Sequence, residues 1–296
     1  MPHLHRLVST QGVLFGSDLA PMKVSNSSTV SLPGYAEIFS GRRSSCSNND
    51  CPTTSEPTLL DAWLQRDPSA ELTIIASWSR IARAAAMDAS GMAVSAGQTV
   101  RVHEERFCAN DELCREYRAG LHTSPWPGAE DYRPDRATSA LVATYLRVHQ
   151  PRFLFVGLGD TDEHAHRGDY RNYLRALHAA DSTLGLVSHW LEQKRREGHP
   201  TLLICTADHG RARNFNHHGG APEAARVWAL FAGSVVTSRN QLVAPTAHLI
   251  DIAPTIASLL GLPGDLGTTG RSLLTTLTAQ NEIGRVAVHF PAYGSK

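Results

Sequence analysis

Two apolar runs, each leading into acidic and histidine residues, decide the reading of this chain. The first is Phe153-Leu154-Phe155-Val156-Gly157-Leu158, continuing into Gly159-Asp160-Thr161-Asp162-Glu163-His164-Ala165-His166. The second is Leu202-Leu203-Ile204-Cys205, continuing into Thr206-Ala207-Asp208-His209-Gly210. Short apolar runs bounded by glycine and turn residues read as buried strands. The segment between them, Tyr170–Arg196, carries Tyr173, Leu174, Leu177, Leu184, Val187 and Leu191 in the pattern of a long amphipathic helix. Outward from this unit, Ala137–His149 reads as a helix, Leu72–Ala76 as a strand and Leu59–Gln65 as a helix. On the far side, Val227–Phe231 reads as a strand, and Asp251–Leu260 as a helix with Pro254 near its start. Helices alternating with strands predict an α/β fold, a doubly wound and mostly parallel sheet sandwiched by helices. Residues 1–296 read as a single domain. Residues 100–136, richer in charge, proline and tryptophan, read as an insertion or cap over the site.

In a parallel sheet, ligands bind outside the carboxyl ends of the strands. Both acid/histidine clusters fall there, so they are expected to face one another. Asp162 and His166 are four residues apart, a spacing that lets a carboxylate and an imidazole reach one cation. Asp208 and His209 are adjacent at a strand end, and His217-His218-Gly219-Gly220 offers a further histidine beside glycines that permit close backbone approach. Ser31 lies just before a helical stretch, where free backbone amides and the positive helix end suit an anionic phosphate. It is the candidate nucleophile. Asn26 and Asn48 are candidate donors to a phosphate oxygen.

Composition agrees with metal chemistry and excludes little else. The chain has 296 residues, 42% of them hydrophobic, with 28 basic against 28 acidic residues, and 15 histidines. The balanced charge gives no footprint for nucleic acid or an anionic membrane. No run of about 18 apolar residues is present, so no membrane span is expected. Of five cysteines, Cys46/Cys51 and Cys108/Cys114 are near neighbours in polar stretches, open either to local disulfides or to free thiols. Cys205 closes an apolar run and reads as a small buried residue. Met1 is followed by Pro-His-Leu-His-Arg, which has no apolar core of an export signal. The sequence assigns no location: exported or periplasmic if a signal lies upstream of Met1, otherwise cytoplasmic.

The motifs, taken together, resemble a family. Val30-Ser31-Leu32-Pro33-Gly34-Tyr35-Ala36-Glu37-Ile38-Phe39-Ser40-Gly41-Arg42 is similar to the nucleophile segment of type I phosphodiesterase and nucleotide pyrophosphatase-like members of the alkaline phosphatase superfamily. Asp162-Glu163-His164-Ala165-His166-Arg167-Gly168 resembles their Asp-x-x-x-His metal segment, Thr206–Gly210 their Asp-His-Gly segment, and His218-Gly219 their last histidine ligand. Leu249–Gly261 and Gly270-Arg271-Ser272-Leu273 resemble the C-terminal segment of sulfatase-like members. The resemblance implies two divalent ions, usually zinc: Asp162, His166 and His218 holding one, Asp208 and His209 the other, with Ser31 bridging towards it. Asp160/His164 is a second register of the same spacing; the glycine that follows His166 and Arg167 favours Asp162/His166. The implied activity is hydrolysis of a small-molecule phosphate ester, monoester or diester, through a seryl-phosphate.

Two departures modify that implication. Family members open with a strand ending in an aspartate that binds the second metal. Here Met1–Leu7 resembles the helix after that strand, so the fold is expected to lack its first strand and one ligand. Where sulfatases carry arginine, Ser31-Leu32-Pro33-Gly34 is followed by Tyr35, which favours phosphate over sulfate. The alternatives are a catalytically impaired binding protein and a sulfatase- or phosphomutase-type relative.

Overall fold

The computed structural model describes residues 1–237, 242–262 and 267–278. The strands are β1 Gly12–Phe15, β2 Met22–Lys23, β3 Leu72–Ala76, β4 Ala93–Ala96, β5 Val100–Val102, β6 Phe153–Gly157, β7 Leu202–Thr206, β8 Arg226–Val227, β9 Ala229–Gly233 and β10 Ala247–His248. The main helices are α1 Pro2–Thr10, α2 Ser31–Ser40, α3 Leu59–Arg66, α4 Ile81–Ala85, α5 Glu104–Phe107, α6 Asp111–Leu121, α7 Asp135–Val148, α8 Asp160–His166, α9 Tyr170–Arg196 and α10 Ile252–Leu260.

The fold is mixed α/β with a parallel portion. One sheet has the order β5-β4-β3-β6, in which β4, β3 and β6 run parallel and β5 is an antiparallel edge. A second sheet, β1-β9-β7, is antiparallel throughout. Sequence alternation alone predicted β7 in a parallel sheet, but its hydrogen-bonded partner β9 returns beside it after the histidine loop. The expected strand Val227–Phe231 divides at Trp228: β8 pairs with β2, whereas β9 pairs with β1 and β7. A continuous apolar run contains no mark of that division.

Local chemistry explains the helix limits. In α3, Thr58 and Asp61 close a reciprocal capping box. The 27-residue α9 starts where the Asp169 side chain accepts from the Asn172 amide. α2 ends at Gly41, whose φ of 65° is left-handed. Helices cover both faces of the sheets. Phe153 and Phe155 of β6 pack with α2, α3 and α10, and Leu154 and Val156 with α7 and α9. Residues 104–121, expected within a cap, instead pack as α5 and α6 on the flank of α7, through Phe107, Leu113, Tyr117 and Tyr145. Only the following stretch reaches the rim of the site. There Arg167 donates to the Pro127 carbonyl (2.9 Å) and lies 4.4 Å from the Trp126 ring.

Two disulfides are formed, Cys46–Cys51 and Cys108–Cys114, with Cα separations of 5.9 and 4.0 Å. Cys205 is free and only half-buried, which corrects the expectation of full burial.

The two larger sheets do not join. Among the described residues, β6 pairs with β3 alone and β7 with β9 alone. The neighbouring strands are fully buried: Ile74, Ile75 and Ala76 of β3 and Ala229, Leu230 and Phe231 of β9 are all 0% exposed. In contrast, Phe153–Val156 and Leu202–Thr206 are half-buried along their length.

Candidate metal centre

The site assembles where β6 and β7 end. β6 passes into α8, where one helical turn separates Asp162 from His166 and sets them side by side, with Oδ2 and Nε2 3.2 Å apart. β7 ends in Asp208 and His209. The loop beyond returns His218, buried, to the same place. His218 Nδ1 lies 2.6 Å from the Thr29 carbonyl oxygen, so it carries the proton and leaves Nε2 a lone pair. That Nε2 sits 3.0 Å from His166 Nε2. One ligand atom from each of Asp162, His166 and His218 can be chosen so that all lie within 4.8 Å of one another. Two nitrogens bound to zinc at about 2.0–2.1 Å in tetrahedral geometry stand ~3.3 Å apart. The donor set therefore fits a divalent ion, with the buried histidine held from behind by a backbone carbonyl, as metal-ligating histidines commonly are.

Ser31 is the first residue of α2. Its Oγ is 3.3 Å from His209 Nε2. His209 Nδ1 faces the Gly210 carbonyl oxygen at 2.9 Å, so in the neutral ring Nε2 carries the lone pair on the Ser31 side, where a metal ion could take it. Asp208 Oδ2 lies 3.6 Å from the same nitrogen, and the His209 and His218 rings stack with centroids 4.0 Å apart. The approach of α2 depends on Gly34. A Cβ there would stand 2.3 Å from the Asp208 carbonyl oxygen, so only glycine lets the helix end lie this close.

Charge is polarised across the site. Burial drives the Asp162 carboxyl upward, but the hydrogen bond from His166 and the charges of His209 and Arg211 outweigh it and hold the group below the usual carboxylate range. Burial pushes Asp208 up, against the attraction of His209. Burial pulls His218 down to about 4, assisted by the charge of His209, so it is a neutral imidazole at neutral pH. Neutral imidazole and ionised carboxylate are the forms that ligate metals.

Ser31, Asp162, His166, Asp208, His209 and His218 thus come together beyond the ends of β6 and β7. The second register does not enter it in the same way. Asp160 accepts from the Tyr132 hydroxyl (2.7 Å) and from the Asp135 amide (3.1 Å). His164 is buried, with its Nδ1 3.8 Å from Asp169. His217 is exposed. Asn26 is not a free donor: its amide bonds the Ser44 and Cys46 carbonyls (2.9 and 3.2 Å). Asn48 is exposed and accepts from the Asp50 amide.

Two residues at the site have no counterpart in the sequence reading. Asn49, inside the Cys46–Cys51 loop, accepts from the Leu32 amide at 2.9 Å and so occupies one of the free donors at the start of α2. Arg211 donates to the Asp162 carboxylate and to its carbonyl oxygen (3.0 Å). Its place directly after Asp-His-Gly was the available signal; the loop geometry that turns it back was not.

Residues 129–264 match the family described as the Metalloenzyme superfamily. The 2,3-bisphosphoglycerate-independent phosphoglycerate mutase of Moorella thermoacetica is 25% identical over 173 residues, covering 58% of this chain and 31% of the relative. The chain thus spans about a third of the length of the curated relatives it matches. Among solved structures, the phosphonate monoester hydrolase of Silicibacter pomeroyi superposes with a TM-score of 0.59 at 14% identity, over 96% of this chain and 73% of the other. A protein of the alkaline phosphatase superfamily from Vibrio parahaemolyticus gives 0.58 at 16%, over 92% and 63%. At such identities the likeness is one of fold. The matched stretch contains all the metal-ligand candidates, so over these residues the chain is similar to the Metalloenzyme superfamily, and its fold is alkaline phosphatase-like.

Proposed function

We propose that the chain cleaves phosphate esters by transfer to Ser31 at a site for two divalent ions, zinc being the expected metal. The observation that carries this reading is the placement of the Ser31 hydroxyl, at a helix N-terminus, 3.3 Å from His209 Nε2 and beside the Asp162/His166/His218 cluster. Asp162, His166 and His218 would hold one ion. Asp208 and His209 would hold the other next to Ser31. Bound ions would supply Lewis-acid charge to the phosphate oxygens and to the attacking hydroxyl.

The chain's own contribution is positioning. The first turn of α2 aims backbone amides and the helix dipole at the phosphate. Ser31 Oγ forms the new bond to phosphorus as the bond to the ester oxygen breaks, leaving a phosphoserine. Transfer of the phosphoryl group from Ser31 to water completes a hydrolase cycle. Transfer to a second hydroxyl completes a mutase cycle, the reading favoured by the phosphoglycerate mutase relatives. Tyr35, in place of the arginine of sulfatases, supports phosphate over sulfate.

The test uses chromogenic p-nitrophenyl phosphate, its bis-ester and the corresponding sulfate, before and after EDTA and with zinc restored. Phosphate-ester turnover that EDTA abolishes, with phosphoserine mapped to Ser31, is the expected result. Specific binding of a phosphate ester without turnover would favour the impaired binding protein. Turnover of the sulfate alone would overturn the phosphate reading.

A further inference from the structure

The segment that delivers Ser31 has little regular structure of its own. Residues 24–30 belong to no helix or strand, so bonds to neighbouring loops set their path. On one side lies the ring that Cys46–Cys51 closes over a sequence separation of 5. Asn26 Nδ2 donates to the Ser44 and Cys46 carbonyls (2.9 and 3.2 Å). The Ser28 hydroxyl donates to the Ser47 carbonyl, and Asn49 Oδ1 accepts from the Leu32 amide (2.9 Å). On the other side lies the histidine loop. The Thr29 hydroxyl donates to the His218 carbonyl (2.7 Å) and accepts from the Gly220 amide (3.1 Å), and the Thr29 carbonyl accepts from His218 Nδ1 (2.6 Å). One short segment thus joins a disulfide ring to both the candidate nucleophile and a candidate metal ligand. The ring lies at the surface: Ser47, Asn48 and Asp50 are exposed and both cysteines are half-buried. Beyond the segment it is held by Arg80, whose Nη1 donates to the Asn49 carbonyl (2.6 Å). The other disulfide, Cys108–Cys114, lies with α5 and α6 on the flank of α7.

We propose that Cys46–Cys51 is a redox modification site, opened by a dithiol, that controls how firmly Ser31 and His218 are seated. A thiolate of the dithiol attacks one cysteine sulfur, the S–S bond breaks, and the other cysteine leaves as a thiolate that takes up a proton. The second thiolate of the dithiol then resolves the mixed disulfide. Two electrons and two protons pass to the cysteines, and the dithiol leaves as its own disulfide. A cross-link over so short a loop disfavours the open loop by ~30-fold through chain entropy. Once the ring opens, residues 26–32 lose the fixed partners on that side. Thr29 then holds His218 less firmly, and loss of the partner behind a metal-ligating histidine costs roughly 10–100-fold in metal affinity.

The experiment uses the full chain, reduced with dithiothreitol in metal-free buffer and followed by amide hydrogen exchange. Expected is at least tenfold faster exchange over residues 26–32, reversed by reoxidation, with β3 unchanged. The Cys108→Ser/Cys114→Ser variant should respond as the parent does. The Cys46→Ser/Cys51→Ser variant, which offers zinc no thiol there, should bind zinc at least tenfold more weakly in competition with a chromogenic chelator. It should also lose at least tenfold in kcat/KM on p-nitrophenyl phosphate. Only that last readout rests on the esterase reading: a chain inactive in every form would sink that reading, while exchange and zinc affinity still decide this one. Unchanged exchange at 26–32 on reduction would overturn the proposal. So would loss of the response in the Cys108→Ser/Cys114→Ser variant, or parental zinc affinity in the Cys46→Ser/Cys51→Ser variant.

Discussion

Replacing Gly34 by alanine tests whether activity depends on how closely α2 approaches the end of β7. The added methyl would lie 2.3 Å from the Asp208 carbonyl oxygen and 3.1 Å from its Cβ, where ordinary contact begins at 3.4 Å. Backbone on both sides prevents a side-chain rotation from relieving the overlap. Helix and strand end must part by roughly 1 Å, and a displacement of that size costs on the order of 100-fold in a positioned reaction, or about 2.7 kcal/mol. The separation acts directly on the Ser31–His209 distance. Alanine is the better helix former by about 1 kcal/mol, which offsets part of the strain in the folded state. The expected result is a kcat/KM on p-nitrophenyl phosphate lowered about 100-fold, with a melting temperature moved by a few degrees. Gly219→Ala is the matched control. Its Cβ would meet only Val30 Cγ1 at 3.5 Å, an ordinary contact, so turnover should stay within about threefold of the parent. Gly34→Ala retaining near-normal kcat/KM, or both variants losing activity equally, would refute the close-approach argument.

Ser31→Ala should abolish phosphoenzyme and turnover while metal content by atomic emission is unchanged; normal turnover would move the nucleophile elsewhere. His218→Ala removes the buried member of the Asp162/His166/His218 set and should cost one metal equivalent in equilibrium dialysis, with an unchanged stoichiometry counting against that set. Arg211→Ala frees the Asp162 carboxylate from a competing cation and should tighten zinc binding several-fold by competition with a chromogenic chelator, where weaker binding would contradict that role. Glu37 is fully buried, and burial raises its carboxyl from 4.5 to about 7. The folded state then holds the proton more tightly than the unfolded state, so stability falls as pH rises from about 4.5 to about 7, by at most about 3.4 kcal/mol. Glu37→Gln should flatten that slope in urea unfolding across the window, and an unchanged slope would exclude Glu37 as its source.

The sequence by itself determined the elements whose pattern is strong and local. Tyr170–Arg196 has the limits expected, because seven turns of periodic apolar residues and a capping aspartate leave little freedom. Leu72–Ala76 and the strands at Phe153 and Leu202 followed from apolar runs between turn residues. The candidate ligands were legible because histidine and aspartate after a buried strand have few other uses in combination. Other features depended on contacts between distant segments. That Asp162/His166 rather than Asp160/His164 faces His218 is set by how α8 leaves β6, which puts Asp160 against Tyr132. That β9 runs antiparallel to β7, and that the Val227–Phe231 run splits between two sheets, is fixed by hydrogen-bond partners far away in the chain. Arg211 and Asn49 join the site only because loops fold back on it, and loop paths carry no periodicity to read. The apolar runs of β6 and β7 say that both strands are buried, but a residue sequence does not record which edges are paired. Only the tertiary structure shows the open edges.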